Sequence, residues 1–178
     1  YWSRVEQARV LPGMVPRFRA VDPFADDPFA GLDLPFPYWI KPVKAHSSYL
    51  GFKIHDADDA AAALPAIRRN IDHFAVPFDQ FLAMVDVPEA IRPIGGRHMI
   101  AEEIISAGHQ CTLEGYAAGE DVRVYGTVDS ARAGRHNSSF ARYQYPSRLP
   151  ERVRARMAAA AATLVRAVGY RDAPFNME

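Results

Sequence analysis

The sequence lacks the features that mark several common classes of protein. It has one cysteine, Cys111, which excludes an internal disulfide and a thiolate metal cluster. None of its six histidines stands in the HxH or HExxH spacing that zinc sites use. The formal net charge is zero, so no overall field attracts nucleic acid or an acidic membrane. We therefore expect no zinc, no nucleic-acid partner and no membrane partner.

Long hydrophobic runs are missing as well. No apolar stretch approaches the roughly 18 residues that a membrane span needs, and the first residues do not follow the plan of a signal peptide. We therefore expect a cytoplasmic protein in a reducing compartment. The composition, 49% hydrophobic and 24% charged residues in 178, is typical of globular proteins. That length suits one sizeable domain or two small ones.

The stretch 36–54, FPYWIKPVKAHSSYLGFKI, predicts a β-hairpin. Aromatic and β-branched residues run into Lys41, Pro42 ends the first strand, and a glycine opens the second. The loop carries the hydroxyls of Ser47 and Ser48. A strand-end lysine supplies a point charge and the loop supplies donors, which suits a polyphosphate. An ordinary surface hairpin with a solvated lysine explains the same residues, so this stretch alone leaves the function open.

The rest of the chain predicts an α+β protein. Apolar residues with helical spacing mark 1–11. A second helical run, 56–74, begins at Asp56 as N-cap and contains Pro65, which should kink it or split it into two short helices. The clearest helix is 150–169, with a proline in its first turn and a glycine just past its end. The remaining predictions are strands at 15–21, 98–105, 110–117, 121–130, 139–145 and 175–178, a helix at 77–86, and loops at 22–35 and 87–96.

Taken in order, these motifs resemble the ATP-grasp superfamily, which includes biotin carboxylase, D-alanine–D-alanine ligase and the carbamoyl phosphate synthetase halves. The resemblance rests on a strand ending in Lys-Pro, a hydroxyl-bearing loop, a strand ending in Glu-Glu-Ile-Ile, the run Gly-His-Gln-Cys-Thr-Leu-Glu-Gly, an amphipathic helix and a final Phe-Asn-Met-Glu. It implies an α+β fold with a small α/β lid subdomain at 15–105. An antiparallel sheet backed by a helix would follow at 106–178, incomplete at its C-terminus, while 1–14 would be a helix belonging to a preceding region. The resemblance also implies a fragment, since the family's first lysine and its Glu-x-Asn metal-binding residues do not occur here.

The resemblance further implies a nucleotide site. Lys41 corresponds to the lysine that contacts the phosphates, and Glu102 to the carboxylate that faces the adenine amino group. The loop between them in sequence, 45–50, corresponds to the mobile loop over the phosphates, although Ala-His-Ser-Ser-Tyr replaces its usual glycines. The implied ATP-binding residues are Lys41, Lys44, Ser47, Ser48, Glu102, Glu103, Ile104, Ile105 and Gln110. For one nucleotide to touch Lys41 and Glu102, the strands that carry them must lie close together.

The metal and catalytic residues are also implied by the resemblance. Glu178 corresponds to the first magnesium-binding carboxylate. Arg135 and His136 lie in a polar loop where the family places catalytic basic groups that face the γ-phosphate or acyl-phosphate. Plainer explanations stay open: a terminal residue for Glu178, a solvated loop for the basic pair, a solvated strand end for Glu102-Glu103 and a cross-strand polar pair for Gln110.

The implied activity is that of an ATP-dependent ligase with ATP and Mg²⁺ as cofactors. Such an enzyme activates a carboxylate as an acyl-phosphate, which an amine or similar nucleophile captures to form a carbon–nitrogen bond. The expected partners are a small-molecule carboxylate and a nucleophile, and a homodimer is one assembly to test. Two alternatives stay open: a phosphotransferase or kinase built on the same nucleotide site, and a non-catalytic nucleotide-binding domain.

Overall fold

The computed structural model of the chain describes residues 1–46, 48–105, 110–133 and 139–178. Within these ranges the helices are α1 (Trp2–Val10), α2 (Ala57–Asn70), α3 (Asp72–Leu82) and α4 (Glu151–Ala167), with a 3₁₀ turn at Glu89–Ile91. The strands are β1 (Phe18–Val21), β2 (Tyr38–Pro42), β3 (Phe52–Ile54), β4 (Met99–Glu103), β5 (Cys111–Ala118), β6 (Asp121–Ala133), β7 (Ser139–Gln144) and β8 (Ala173–Met177). The chain divides into a first unit, Tyr1–Val5 with Val15–Ile105, and a second unit, Glu6–Met14 with Ser106–Glu178.

The first unit is built on a four-stranded antiparallel sheet in the order β1–β4–β2–β3. One face of this sheet contributes to the hydrophobic core together with α2. The buried residues of that core include Tyr38, Ile40, Ile54, Met99 and Ala101 from the strands and Ala60, Ala63 and Ile67 from the helix. Because successive side chains of a strand point to opposite faces, Trp39, Lys41 and Glu102 lie on the other face of the sheet. The sequence-predicted lysine and carboxylate therefore share a face.

Helix α2 begins as the sequence predicts but does not divide where it predicts. The Asp59 amide donates to Asp56 Oδ1 at 2.9 Å, which confirms the N-cap. Of the two predicted effects of Pro65, a kink or a split, the split does not occur, since α2 runs without interruption to Asn70. Pro65 removes one backbone hydrogen bond, but the helix keeps its apolar face in the core on both sides of it, with Ala60 before and Ile67 after.

Helix α3 also differs from its prediction. It begins at Asp72 rather than at residue 77 and ends at Leu82, so that Pro77 lies inside it. The sequence assigns residues 72–74 to the end of the preceding helical run, 56–74, rather than to this helix. The structure shows that the apolar pattern continues upstream, where Ala75 is buried.

The second unit is a four-stranded antiparallel sheet in the order β7–β6–β5–β8, against which α4 packs. The buried stripe of α4 includes Ala161, Leu164 and Val165. Gly169, at φ +69°, follows the end of the helix in the left-handed conformation that glycine adopts without strain. The predicted α+β fold, with an antiparallel sheet backed by a helix, is confirmed.

Some strand boundaries moved. Strand β6 extends to Ala133, three residues past its predicted end, and β8 begins at Ala173 rather than at residue 175. In both strands the added residues pair with a neighbouring strand: residues 131–133 of β6 pair with β7, and Ala173 and Pro174 of β8 pair with β5. Of the helices described, none has the length and apolar character needed to cross a membrane.

Candidate functional site

A buried carboxylate holds two cations on the face of the first sheet that is opposite the α2 core. Glu102 is only 4% exposed. Lys41 Nζ lies 2.7 Å from its Oε2, and Arg4 Nε lies 2.5 Å from its Oε1, so each carboxylate oxygen has its own cationic donor. The Lys41 and Arg4 side chains keep 41% and 28% of their exposure. The cluster therefore reaches from a buried anchor to the surface, with one net positive charge.

Strand pairing explains how the two strand residues meet. β4 lies between β1 and β2, and Glu102 stands opposite Trp39 of β2 and Phe18 of β1. Lys41 is opposite Ile100, one step along the same face, so its side chain reaches Glu102 diagonally. Arg4 comes from α1. The expectation that the strands carrying Lys41 and Glu102 lie close together is confirmed.

Two opposing effects determine the pKa of the Glu102 carboxyl: its burial and its two cationic partners. Burial by itself raises the pKa of the carboxyl, since a charge is costly away from water. The hydrogen bonds and charges of Lys41 and Arg4 outweigh that penalty, and the pKa lies below its ordinary value. Glu102 is therefore an ion at neutral pH. The solvated-strand-end interpretation does not describe this residue.

Glu103 has a separate partner on the opposite face of β4. Its carboxylate accepts from Arg17 Nε at 2.8 Å and from the Arg17 backbone amide at 2.9 Å. The hydrogen bonds from Arg17 lower the pKa of the Glu103 carboxyl. Its backbone amide in turn donates to the Arg17 carbonyl at 3.0 Å. Ile104 and Ile105 follow, 38% and 67% exposed, outside any strand.

The predicted phosphate loop is attached to helix α3 through aromatic rings. His46 and Tyr49 each meet the edge or face of Phe74, with ring centroids 5.1 Å apart in both pairs. Ser48 has φ 56°, a left-handed conformation that costs a serine energy and that fixes the turn leading to Gly51. Lys44 and Ser48 are exposed. Ser47 lies outside the described residues.

The second unit carries the remaining predicted residues. The Gln110 carbonyl accepts from the Ser130 amide at 2.8 Å, a cross-strand contact of its backbone. Glu178 directly follows β8, and strand alternation places it on the same side as Asn176, whose Nδ2 donates to Glu114 Oε1 at 2.6 Å. The proposed catalytic pair, Arg135 and His136, lies outside the described residues.

The sequence analysis did not identify two residues near Glu102, which are Arg4 and Trp39. Arg4 has no signal in the sequence, because it is 98 residues away from its partner and looks like any helical arginine. Trp39 could have been found: it precedes Lys41 by two residues, so alternation places both on one face. Its indole lies against Gly51, where an added Cβ would approach Trp39 Cζ2 to 2.6 Å. A side chain at Gly51 would therefore displace the indole.

Comparison with known proteins identifies the fold. No protein-family model matches the sequence, and no curated protein matches it. An L-amino acid ligase from Bacillus licheniformis superposes on 98% of this chain and 34% of its own length, with a TM-score of 0.67 and 16% identity. VanG D-Ala:D-Ser ligase from Enterococcus faecalis covers 94% of this chain and 43% of its own, with a TM-score of 0.63 and 17% identity.

A third similar structure was solved with nucleotide. The biotin carboxylase domain dimer of Hydrogenobacter thermophilus 2-oxoglutarate carboxylase, in complex with the magnesium salt of ADP, ADP and bicarbonate, covers 98% of this chain and 35% of its own. Its TM-score is 0.64 at 13% identity. The chain thus spans between 34% and 43% of the length of these three structures. These proteins are of the kind that the sequence motifs resemble, and their shared fold is the fold of this chain. The chain has the ATP-grasp fold.

Proposed function

We propose that this chain is the nucleotide-binding part of an ATP-dependent ligase that activates a carboxylate and passes it to an amine or similar nucleophile. The observation that carries the proposal is the Lys41–Glu102–Arg4 cluster on one face of the first sheet. A cation held by a buried carboxylate and still partly exposed is suited to a phosphate, because its charge and position are fixed before the ligand arrives. The similar structures add ligases as the class of enzyme.

The reaction would run in two balanced steps. In the first, a carboxylate oxygen forms a bond to the γ-phosphorus of ATP while the bond from that phosphorus to the β–γ bridging oxygen breaks, and ADP leaves. In the second, the nucleophile attacks the acyl carbon, inorganic phosphate leaves with the carbon–oxygen bond electrons, and the amine loses a proton. Positioning and charge neutralisation, rather than covalent chemistry by the protein, would carry the acceleration.

Each residue of the first-unit site has a physical task in this scheme. Lys41 would place its ammonium on a phosphate oxygen, while Glu102 restrains the lysine and prevents it from swinging into solvent. Arg4 would hold the carboxylate in place when Lys41 shares its hydrogen bonds with a phosphate. Trp39, on the same face, would offer an aromatic surface to the nucleotide base. Glu103, Ile104 and Ile105 remain our candidates for reading the adenine edge, and Lys44, Ser48 and Gln110 for further nucleotide contacts.

The candidate residues could supply part of a Mg²⁺ coordination shell. No cluster of three or more His, Cys, Asp or Glu able to hold a metal occurs in the part of the chain that the structure describes. Mg²⁺ does not need one, because it commonly binds one or two carboxylates together with phosphate oxygens and waters. Glu178 would supply a carboxylate, and the ion would neutralise phosphate charge during transfer. We further propose a cytoplasmic enzyme acting on small molecules and, from the dimeric carboxylase domain, a homodimer.

The test is nucleotide binding by the chain and two matched variants. Lys41→Ala should weaken MgATP binding about tenfold, since a charged hydrogen bond to phosphate contributes about 1.5–3 kcal/mol. Arg19→Ala is the control: Arg19 is also a strand cation of the first sheet, paired with Asp33 at 3.2 Å, but it lies on the opposite face. Arg19→Ala should keep the wild-type melting temperature to within a few degrees, because its ion pair with Asp33 is exposed. Lys41→Ala should melt at a lower temperature, because the buried Glu102 carboxylate loses one of its two cationic partners.

Isothermal titration calorimetry, or NMR titration if the affinity is low, would measure the three constants. Equal affinities of the wild type and of folded Lys41→Ala for MgATP would contradict the proposal, whatever the melting temperatures of the two proteins. To test the ligase step in a protein that contains this chain, ATP and candidate carboxylates can be supplied with hydroxylamine, which traps an acyl-phosphate as a hydroxamate.

A further inference from the structure

The second unit contains a cleft that shares no residue with the nucleotide site proposed above. It has a volume of about 210 Å³ and lies where strand β6 and the start of helix α4 meet the segment after β7. Its walls include Tyr125, Tyr145 and Arg154. Of these, both tyrosines are more than 60% exposed, so their rings are accessible to a ligand.

One wall of the cleft is formed by a break in strand pairing. Glu114 of β5 pairs with Gly126, and the next residue, Gly115, pairs with Val124, so Tyr125 is the extra residue of a β-bulge. Such bulges re-aim a side chain relative to the regular strand, and they occur often next to binding sites. Gly126 adds no side chain to this wall; a Cβ there would make an ordinary van der Waals contact with the Tyr145 ring, at 3.6 Å.

The opposite wall supplies a cationic donor without an acceptor. Arg154 Nε is shielded from solvent, yet no acceptor within the described ranges lies at hydrogen-bond distance from it. A shielded donor without a partner is costly and therefore uncommon in folded proteins. Ala155 and Ala158 continue this wall with small side chains. A slot between a tyrosine pair and a helix, with a guanidinium Nε that lacks an acceptor at its end, suits a planar molecule that carries an acceptor.

The charges around Arg154 indicate which kind of ligand group would accept its hydrogen bonds. Its Nη2 pairs with Glu151, but the Glu151 side chain is 78% exposed while that of Arg154 is 36% exposed. An ion pair this open to water contributes little, so a ligand carboxylate can replace Glu151 at low cost. Both residues lie in the first turn of α4, where the helix dipole also favours an anion. The guanidinium fork suits a carboxylate, which can accept two hydrogen bonds from it.

From these observations we propose that the β6–α4 cleft binds a small aromatic carboxylate, with its ring against Tyr125 and Tyr145 and its carboxylate on Arg154. The site is independent of the proposed nucleotide site and does not require ATP. Ring contacts with the tyrosines and a bidentate contact with the arginine would each contribute to affinity. A ligand that lacks the aromatic ring or the carboxylate therefore binds more weakly.

The test uses benzoate as the probe, with acetate and benzyl alcohol as matched probes that lack the ring or the charge. The chain is labelled with ¹⁵N and titrated with each compound. Benzoate should shift the amide signals of Gly126, Thr127, Ala155 and Ala158 in a saturable way, and both matched probes should bind more weakly. The same titration on Arg154→Gln should show affinity for benzoate reduced about tenfold, with that for benzyl alcohol unchanged.

Two further variants keep the result interpretable. Arg152→Gln, an exposed arginine of the same helical turn that does not line the cleft, should bind benzoate as the wild type does. Arg154→Lys keeps the charge but loses the planar fork, so it should bind benzoate with an intermediate affinity, and its spectrum shows whether the unit stays folded. The proposal is overturned if benzoate gives no saturable shift in the cleft, or if Arg154→Gln and Arg152→Gln bind it equally well.

Discussion

Lys41 and Glu102 form an ion pair at 2.7 Å across two adjacent strands of the first sheet, with the carboxylate buried and the ammonium partly exposed. A buried carboxylate needs its partners, because removing them leaves a charge without compensation in a poorly hydrated place. Here Arg4 is the second partner, at 2.5 Å. The arrangement means that the lysine can give up part of its contact to a ligand while the carboxylate remains neutralised.

Arg4 should therefore stabilise the fold more than its position near the start of α1 indicates. We expect Arg4→Ala to lower the free energy of unfolding by about 1–3 kcal/mol, since Glu102 loses a charged hydrogen bond in a buried position. Arg9→Ala, which removes the exposed Arg9–Glu6 pair on the same helix, should cost less than about 1 kcal/mol. Urea unfolding of the two variants compares them directly. Equal losses would mean that the buried carboxylate does not depend on Arg4.

The lowered pKa of Glu102 predicts a specific acid sensitivity. The unfolded chain takes up this proton at a higher pH than the native chain does, so native stability is fully present above the ordinary carboxyl pKa, 4.5, and is lost as the pH falls through the lower native pKa. Glu102→Gln should therefore unfold less steeply with falling pH below about 4.5 than wild type does, although it is less stable at neutral pH.

Glu89→Gln serves as the control for that experiment, because Glu89 is an exposed glutamate in the 3₁₀ turn, outside the cluster. Chemical unfolding at a series of pH values gives the slope for each protein. Glu103, whose pKa is also lowered, contributes equally to the pH dependence of stability in the wild type and in both variants. The comparison of the variants therefore isolates the contribution of Glu102. If the unfolding free energies of Glu102→Gln and Glu89→Gln depend on pH with the same slope, proton uptake by Glu102 is not coupled to unfolding.

Trp39 should report on ligands that bind beside Lys41. It stands opposite Glu102 in the strand pairing and shares the face of Lys41. The chain has one other tryptophan, Trp2, so Trp2→Phe leaves Trp39 as the sole source of tryptophan emission. We expect MgATP to change that emission in a saturable way, and the additional change Lys41→Ala to weaken the response about tenfold. The Trp39→Phe chain should show no such response, and a response equal in size there would place the nucleotide elsewhere.

The loop before β3 should depend on Phe74 for its order. Phe74 contacts the rings of His46 and Tyr49, and aromatic pairs contribute about 0.5–1.5 kcal/mol each. The amides of Tyr49 and Gly51, which donate to His46 and Ser48 carbonyls at 3.0 Å, are convenient reporters. In Phe74→Ala both should exchange with solvent about tenfold faster or more. Phe81→Ala, on the exposed side of the same helix, should leave them unchanged; unchanged exchange in Phe74→Ala would show that the rings do not hold the loop.

Short-range patterns in the sequence predict many of the secondary-structure elements. The hairpin ending at Lys41-Pro42, the Asp56 cap and the long amphipathic helix α4 follow from alternation, capping chemistry and helical periodicity, each of which acts over a few residues. The order of these signals was enough to indicate the ATP-grasp fold. It also singled out Lys41 and Glu102, since a strand-end lysine and a strand-end carboxylate are visible in the strands themselves.

What the tertiary structure alone decided are the contacts between distant parts of the chain. The sequence does not reveal that Arg4 meets Glu102, because the pair is 98 residues apart and neither residue has a local signature for the other. The sequence also left open whether Pro65 kinks or splits its helix, and α2 is not split because the core holds it on both sides of the proline. Nor does the sequence show the bulge that places Tyr125 beside Tyr145 and Arg154. Local patterns determine which elements form, but burial and pairing between elements decide which side chains meet, and those energies exist only once the chain is folded.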